Sequence, residues 1–327
     1  MIKKRIVGTE LVVSEVVFGT VDLGTRFTQE ESFRFLDAYI DMGGNFIDTA
    51  TFYGNWFPHL ERSICEKYVG RWLKTRADKA DIIIASKCSH PKSRAEMHVH
   101  RLHGDDIRSD LEDTLRNLGT ETVDMYYLLR DDETYPAEKI ILTLNEEIKK
   151  GKIRAIGCSN WRPHRIAKAN QFARENGLKG FSANQMMWSL ALPNWDIIPD
   201  PTLKSMDEEC MDFHIQNQNE IAALPYSCMA NGYFHKIGEG VEHIHPKASH
   251  RFVSNENFRR YQNVLKLSAE TGYTVSQIVM GYIMSQPVQT FPIIGFDSVE
   301  QLADTIAASD TRLTPEQISF ITNTKMI

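Results

Sequence analysis

The chain has 327 residues with a formal net charge of -6 at pH 7, and 24% of its residues are charged. This balance gives no general electrostatic attraction for nucleic acid, and no apolar run reaches the roughly 18–20 residues that a membrane-spanning helix needs. We therefore expect neither nucleic acid nor a membrane as a partner.

Eight short apolar runs recur along the chain, each followed by a longer amphipathic segment. The runs are residues 15–20, 45–50, 81–87, 123–129, 153–159, 181–186, 221–227 and 290–295. Their continuous apolar character is typical of strands that are covered on both faces. The spacing of apolar residues predicts helices between them, and several of these end at a glycine. The predicted helices cover residues 29–42, 105–118, 138–150, 163–176, 258–270 and 275–285.

Eight strand–helix repeats without a Pro- or Ser-rich linker predict a (β/α)8 TIM barrel rather than two doubly wound halves. We expect residues 1–327 to form this barrel as a single domain. Residues 5–13 (RIVGTELVV) place a Gly-Thr turn between β-prone residues, which predicts an N-terminal β-hairpin at the barrel floor. Residues 232–257 are polar and too long for an ordinary connection, so we expect a lid or binding loop there.

Active sites of such barrels lie at the C-terminal ends of the strands. Asp48 and Lys87 end consecutive apolar runs, and Tyr53 follows Asp48 by five residues. An acid and a lysine placed in this way can form an ion pair, and the lysine can lower the pKa of a nearby phenol. Such a phenol is a competent proton donor or acceptor. The simpler alternative is a buried ion pair beside a core tyrosine.

Four segments of the chain resemble motifs of the aldo-keto reductase superfamily. They are residues 46–54 (FIDTATFYG), 69–73 (VGRWL), 153–160 (IRAIGCSN) and Asn184-Gln185 followed by Trp188. Similar motifs run in the right order from about Phe18 to Ala308. The resemblance implies an NAD(P)-dependent oxidoreductase that transfers hydride between nicotinamide and a carbonyl or alcohol substrate.

The resemblance also implies roles for individual residues. Asp48, Tyr53 and Lys87 match the catalytic set, with Tyr53 as the general acid or base. Ser159, Asn160 and Gln185 would bind the nicotinamide carboxamide, and Trp188 would stack on the ring; capping and core packing are the alternatives. The further residues expected at the cofactor are Gly19, Thr20, Tyr226, Ser227, Gly295, Asp297, Ser298 and Gln301. Those expected at the substrate are Asp22, Trp56, His90 and Leu129.

Two positions depart from the family pattern. Leu129 stands where the family usually has its catalytic His, and a leucine side chain cannot hydrogen-bond a substrate oxygen. His90 could supply the missing donor, or it could be a solvated loop histidine. No basic residue occurs in residues 292–301, where many relatives bind the 2′-phosphate of NADP. Asp297 could instead accept from a ribose hydroxyl, which slightly favours NAD over NADP, unless it only caps the following helix.

Two other functions stay open. One is a sugar or polyol dehydrogenase of the same fold. With this alternative included, the expected substrate is a small carbonyl compound, alcohol or sugar. The other is a non-catalytic protein that senses nicotinamide nucleotides. The histidine groups His98/His100/His103 and His243/His245 lack metal-ligand spacing, and we expect no metal. Five scattered cysteines without a C-x-x-C pair, and an N-terminus without a secretory signal, favour a cytoplasmic protein. The oligomeric state is left open.

Overall fold

The computed structural model describes residues 1–92, 96–97, 99–239 and 250–323. His98, His243 and His245, and part of the polar stretch 232–257, lie outside the described residues. Within the described part of the chain, no helix combines the length and apolar character needed to cross a membrane.

The chain begins with an antiparallel hairpin of β1 (Lys3–Arg5) and β2 (Val12–Ser14), with Lys3 opposite Ser14. Ile6, Leu11 and Val13 are buried, and they pack with Phe46 and Met125 of the barrel strands in one core cluster. The apolar residues of the hairpin therefore plug the N-terminal end of the barrel, and the predicted floor hairpin is confirmed.

Eight parallel strands form the barrel sheet, in the order β10-β3-β4-β5-β6-β7-β8-β9. They are β3 (Val17–Gly19), β4 (Phe46–Asp48), β5 (Ile83–Cys88), β6 (Val123–Leu128), β7 (Ile153–Ser159), β8 (Phe181–Gln185), β9 (Ala222–Ala223) and β10 (Ile293–Ile294). The ring is completed at Ala223, which exchanges backbone hydrogen bonds with Gln289 and Phe291 just before β10. This is the predicted (β/α)8 arrangement.

Helices fill the connections and cover the outside of the sheet. They are α1 (Gln29–Asp41), α2 (Ile64–Leu73), α3 (Gly104–Leu118), α4 (Ala137–Lys149), α5 (Pro163–Glu175), α6 (Glu208–Gln216), α7 (Tyr233–Lys236), α8 (Asn255–Thr271), α9 (Val275–Met284), α10 (Val299–Ala308) and α11 (Pro315–Thr322). The six helices predicted from periodicity are all present, with bounds that differ by three residues at most. Helices α7 and the start of α8 fall in residues 232–257, so that stretch is not a simple loop.

The hairpin is also tied to the end of the chain. Glu15 is fully buried, and its carboxylate lies 2.6 Å from Lys4 Nζ and 3.6 Å from Arg312 Nη2. Gln289, close to the last strand, donates from its side chain to the carbonyl of Arg5 and accepts from the amide of Val7. Contacts between the first and last parts of the chain thus seal the floor. The five cysteines are buried and unpaired.

Candidate active site

Three side chains meet where the barrel strands end. Asp48 is the last residue of β4, Lys87 lies on β5, and Gln185 is the last residue of β8. Lys87 Nζ donates to Asp48 Oδ2 at 2.5 Å and to the carbonyl of Thr49 at 2.8 Å. Gln185 Nε2 donates to Asp48 Oδ1 at 2.7 Å, so both carboxylate oxygens are held. Each of the three residues is about 1% exposed, and the ion pair is therefore shielded from water.

Tyr53 reaches this cluster from the loop after β4. A tight turn, in which its amide donates to the carbonyl of Ala50, brings the chain back over the strand ends. Lys87 Nζ lies 4.7 Å from the centroid of the Tyr53 ring. The three residues predicted to be catalytic are thus adjacent.

The charges in the cluster set the protonation states. Burial raises the pKa of the Tyr53 phenol above its usual range; Lys87 opposes this shift and Asp48 adds to it. Lys87 lowers the pKa of the phenol as expected, but desolvation outweighs this effect and the net shift is upward. Burial alone would lower the pKa of Lys87, but Asp48 and Tyr53 leave it raised. Near neutral pH the phenol carries its proton and the lysine its charge.

The residues expected at the nicotinamide form a hydrogen-bonded group beside this cluster. Asn160 has a left-handed backbone (φ 61°), which turns the chain sharply after β7. Its Oδ1 accepts from Tyr226 Oη at 2.7 Å and from the amide of Lys204 at 3.1 Å. Its Nδ2 donates to Ser159 Oγ at 3.0 Å. Tyr226 is half-buried, so part of its ring remains accessible.

Trp188, expected to stack on the nicotinamide, lies in the core. Its side chain is 4% exposed and lies in the core that also contains Met186 and Met280. Its ring meets Tyr282 of α9 edge-on, with centroids 6.5 Å apart. In this position little of the Trp188 ring is open to a ligand, and its stacking role stays a prediction. Tyr226 is the aromatic residue that lies beside Asn160.

A cluster of aromatic side chains adjoins Tyr53 through Trp56, a residue expected at the substrate. Trp56 contacts Tyr53, Phe52 and Phe57, with ring centroids about 6 Å apart in each pair. His90 stacks on Phe52 at 3.6 Å, and its Nδ1 lies 2.7 Å from the carbonyl of Pro91. His90 is 8% exposed, so the alternative of a solvated loop histidine is wrong. Burial, assisted by Arg130, lowers its pKa to about 4, and the ring is neutral near pH 7.

Leu129 follows β6 directly and is 8% exposed. The next residue, Arg130, turns back on it: Arg130 Nη1 donates to the carbonyl of Leu129 at 2.8 Å, and Nη2 to Asp200 Oδ2 at 3.0 Å. Arg130 Nε is buried without a hydrogen-bond partner. Sequence reasoning missed this pair, because Arg130 and Asp200 lie 70 positions apart and neither belongs to a local motif.

The residues expected at the adenosine end occupy the start of α10. Ser298 caps this helix by accepting from the amide of Gln301, so the alternative that Asp297 is the cap is wrong. Gly295 is exposed, and a Cβ built on it would meet nothing within 4 Å. Arg26, from the loop after β3, donates to Asp297 Oδ1 at 2.6 Å and to Asp22 Oδ2 at 3.2 Å.

The contacts of Arg26 with Asp22 and Asp297 bear on two predictions. Asp22 lies with Asp297, at the end of the site where the adenosine rather than the substrate is expected. A basic residue is present there after all, but it comes from a loop 271 positions earlier in the chain than Asp297.

The remaining residues expected at the cofactor lie at the end of β3 or in segments that follow a strand. Gly19 passes so close to β10 that a Cβ would stand 2.8 Å from the carbonyl of Ile294. The Thr20 hydroxyl is buried without a partner, and Ser227 has a left-handed backbone (φ 56°) in the turn after β9. Among the described residues, no group of three or more His, Cys, Asp or Glu side chains could hold a metal ion.

Comparison with known proteins identifies relatives along the whole chain. A model of the "Aldo/keto reductase family" matches residues 15–325. An aryl-alcohol dehydrogenase [NADP(+)] of Phanerodontia chrysosporium is 25% identical, over 97% of this chain and 84% of the relative. Norsolorinic acid reductase B of Aspergillus parasiticus is 27% identical, over 96% of this chain and 80% of the relative. The crystal structure of a thermostable aldo-keto reductase in complex with epalrestat has the same fold, with a TM-score of 0.73, 20% identity and 99% coverage of both chains.

Proposed function

The chain belongs to the aldo/keto reductase family, and on that premise we propose that it is an NAD(P)-dependent oxidoreductase with Tyr53 as its general acid or base. It interconverts a small-molecule carbonyl compound and the corresponding alcohol. The observation that supports this most strongly is the buried Asp48–Lys87 pair, with its ammonium group 4.7 Å from the Tyr53 ring.

The residues present fit a nicotinamide dinucleotide. When bound, the nicotinamide supplies or receives the hydride. Tyr226 and Asn160 would hold the ring, since the tyrosine is partly accessible and fixed in orientation by its hydrogen bond to Asn160. Gly295, Ser298 and Gln301 would hold the adenosine end, where the backbone of Gly295 borders open space.

The protein groups in this proposal handle the proton. In the reducing direction, Tyr53 donates its phenolic proton to the carbonyl oxygen as that oxygen becomes an alcohol. Lys87 remains charged because Asp48 holds it, and it stabilises the phenolate that results. In the oxidising direction Tyr53 accepts the same proton from the alcohol. Leu129 adds no donor to this exchange.

We further propose an aromatic carbonyl or alcohol as the substrate. Trp56, which is half-buried, lies beside Tyr53, and Phe57, which is 38% exposed, lies beside Trp56, so both rings are available to a substrate near the phenol. Stacking on such faces favours a flat, apolar substrate over a small polar one. The name of one fungal relative points the same way, since it is an aryl-alcohol dehydrogenase. A sugar, which also stacks on aromatic rings, is the second candidate.

For the cofactor we propose a preference for NAD over NADP. Two carboxylates, Asp22 and Asp297, flank the single guanidinium of Arg26, so the local formal charge is -1 and a phosphate gains little there. The relative from Phanerodontia chrysosporium is named for NADP(+), and titration with both cofactors decides the point.

The test measures NADH and NADPH oxidation with panels of aromatic aldehydes, ketones and sugars. Tyr53→Phe should lower kcat by about 100- to 10,000-fold, the usual contribution of a general acid, while the Kd for the cofactor stays unchanged. Tyr68→Phe, at a half-buried tyrosine of α2, is the matched control. Turnover that survives Tyr53→Phe would contradict the role of the phenol. Cofactor binding without turnover on any compound would favour the nucleotide-sensing alternative.

A further inference from the structure

Helix α2 carries a carboxylate that is fully buried and is not part of the cluster described above. Glu66 is 0% exposed. Its Oε1 accepts from Ser86 Oγ at 2.5 Å, from Thr114 Oγ1 at 2.9 Å and from Thr51 Oγ1 at 3.3 Å. Its Oε2 accepts from Asn117 Nδ2 at 2.8 Å. No Lys, Arg or His of the described residues forms an ion pair with it, so neutral donors alone solvate this carboxylate.

The four donors come from three different parts of the barrel. Thr114 and Asn117 lie on α3, against which α2 packs very closely. A Cβ at Gly70 of α2 would stand 2.1 Å from the carbonyl oxygen of Asn117, so only glycine allows this approach. The close packing of the two helices brings Glu66 within reach of both α3 side chains. Helix α3 thus acts as a fixed support for the carboxylate.

The other two donors belong to the segments that carry the reactive pair. Ser86 directly precedes Lys87 on β5, and Thr51 lies two residues before Tyr53. The two segments are also joined by the backbone, since the amide of Thr51 donates to the carbonyl of Lys87 at 3.4 Å. That bond is long, whereas the bond from Ser86 to the carboxylate is short. One carboxylate therefore ties the strand of Lys87 and the loop of Tyr53 to the same helix.

We propose that Glu66 is a positioning residue that holds Tyr53 and Lys87 at their working separation by anchoring Thr51 and Ser86 to α3. This inference rests on the proposed role of Tyr53 as the proton donor. The hydroxyl groups of Thr51 and Thr114 also lie 2.8 Å apart, and each has one proton, so Glu66 accepts from Ser86, from Asn117 and from at least one of the two threonines. Burial raises the pKa of Glu66, and the hydrogen bonds from Ser86, Asn117, Thr114 and Thr51 oppose that shift.

The test compares two substitutions of one side chain. Glu66→Leu removes every hydrogen bond to the carboxylate. A misplacement of Tyr53 relative to Lys87 by about 1 Å should lower kcat roughly 100-fold. Glu66→Gln retains an acceptor for the hydroxyl groups, and we expect it to recover most of kcat. In Glu66→Leu the Kd for NADH and the KM for substrate should stay within about twofold, because neither ligand contacts Glu66. A larger distance from Lys87 to Tyr53 should also move the alkaline limb of the kcat profile to higher pH.

Glu147→Gln is the matched control. Glu147 is likewise a buried carboxylate on a helix, but its partners are the partly exposed Arg108 of α3 and Lys150, the residue that follows α4. The Glu147→Gln variant should be less stable than the parent, with kcat and the pH profile of kcat unchanged.

Single donors provide a second test if Glu66→Leu does not fold. Thr51→Val and Ser86→Ala each remove one link and leave the carboxylate in place. Each should lower kcat about tenfold, and their combination should be less than additive in free energy because both act through Glu66. Unchanged kcat and pH profiles in Thr51→Val and Ser86→Ala would overturn the inference. Loss of activity in the Glu66 series together with full activity of Tyr53→Phe would instead refute the proposed function.

Discussion

Asp297→Asn tests how the site distinguishes its two possible cofactors. Arg26 and Asp297 are 2.6 Å apart, and their side chains are 53% and 56% exposed. In such an exposed place two unit charges at about 4 Å interact with roughly 1 kcal/mol. A 2′-phosphate carries about -1.5 to -2 charges, so Asp297 would oppose it by about 1.5–2 kcal/mol. The substitution removes that repulsion and frees Arg26. The Kd for NADP should fall about tenfold relative to the Kd for NAD.

Isothermal titration at about 0.05 M and 1 M salt measures the effect. The Debye screening length is only about 3 Å at 1 M salt, so most of the improvement in NADP affinity should vanish there. Asp310→Asn is the matched control: it changes the net charge equally but lies beyond the opposite end of α10. An unchanged ratio of the two Kd values at low salt would refute the reasoning. A gain that persists at 1 M salt would show that the charge of Asp297 is not its cause.

Three further predictions concern the nicotinamide end of the site. Leu129→His should raise kcat with aldehydes, and no gain over the parent would show that Leu129 does not limit the reaction. Tyr226→Leu should weaken NADH binding at least tenfold, whereas Trp188→Phe should leave the Kd unchanged and only lower stability; the opposite pattern would restore Trp188 as the ring partner. Because burial raises the pKa of Tyr53 above its ordinary value of 10.0, the phenol stays protonated and kcat for reduction should not decline below about pH 9. A decline that begins near pH 7 would contradict this protonation state.

The barrel could be predicted from the sequence because each repeat carries its own local signal. Continuous apolar runs mark the strands, and 3.6-residue periodicity with terminal glycines marks six helices. Helices α6 and α7 gave no such signal. Helix α7 has only four residues, and α6 buries only Cys210 and His214, too few to form an apolar stripe.

The same distinction applies to the site. Asp48, Tyr53 and Lys87 stand at strand ends or in a recognisable motif, so their proximity follows from the topology alone. The pairing of Arg26 with Asp297 depends on the fold of two loops, and no local pattern records it. The direction of the Tyr53 pKa shift could not be predicted either, since it depends on how much water the finished barrel excludes. Residues in local motifs were predictable, whereas contacts that form only when the barrel has folded were not.

The seal at the barrel floor has a consequence for how the chain folds during synthesis. The amide of Val7 bonds to a side chain 282 positions later, and β3 finds its second neighbour only when residues 293 and 294 have been made. Until then one edge of β3 has no partner, and the Glu15 carboxylate lacks Arg312. Contacts of such high sequence separation slow folding and prolong the exposure of strand edges. A ribosome-bound chain that stops short of β10 should therefore remain open to proteases and chaperones, and should become resistant to proteolysis only after the last strand has emerged.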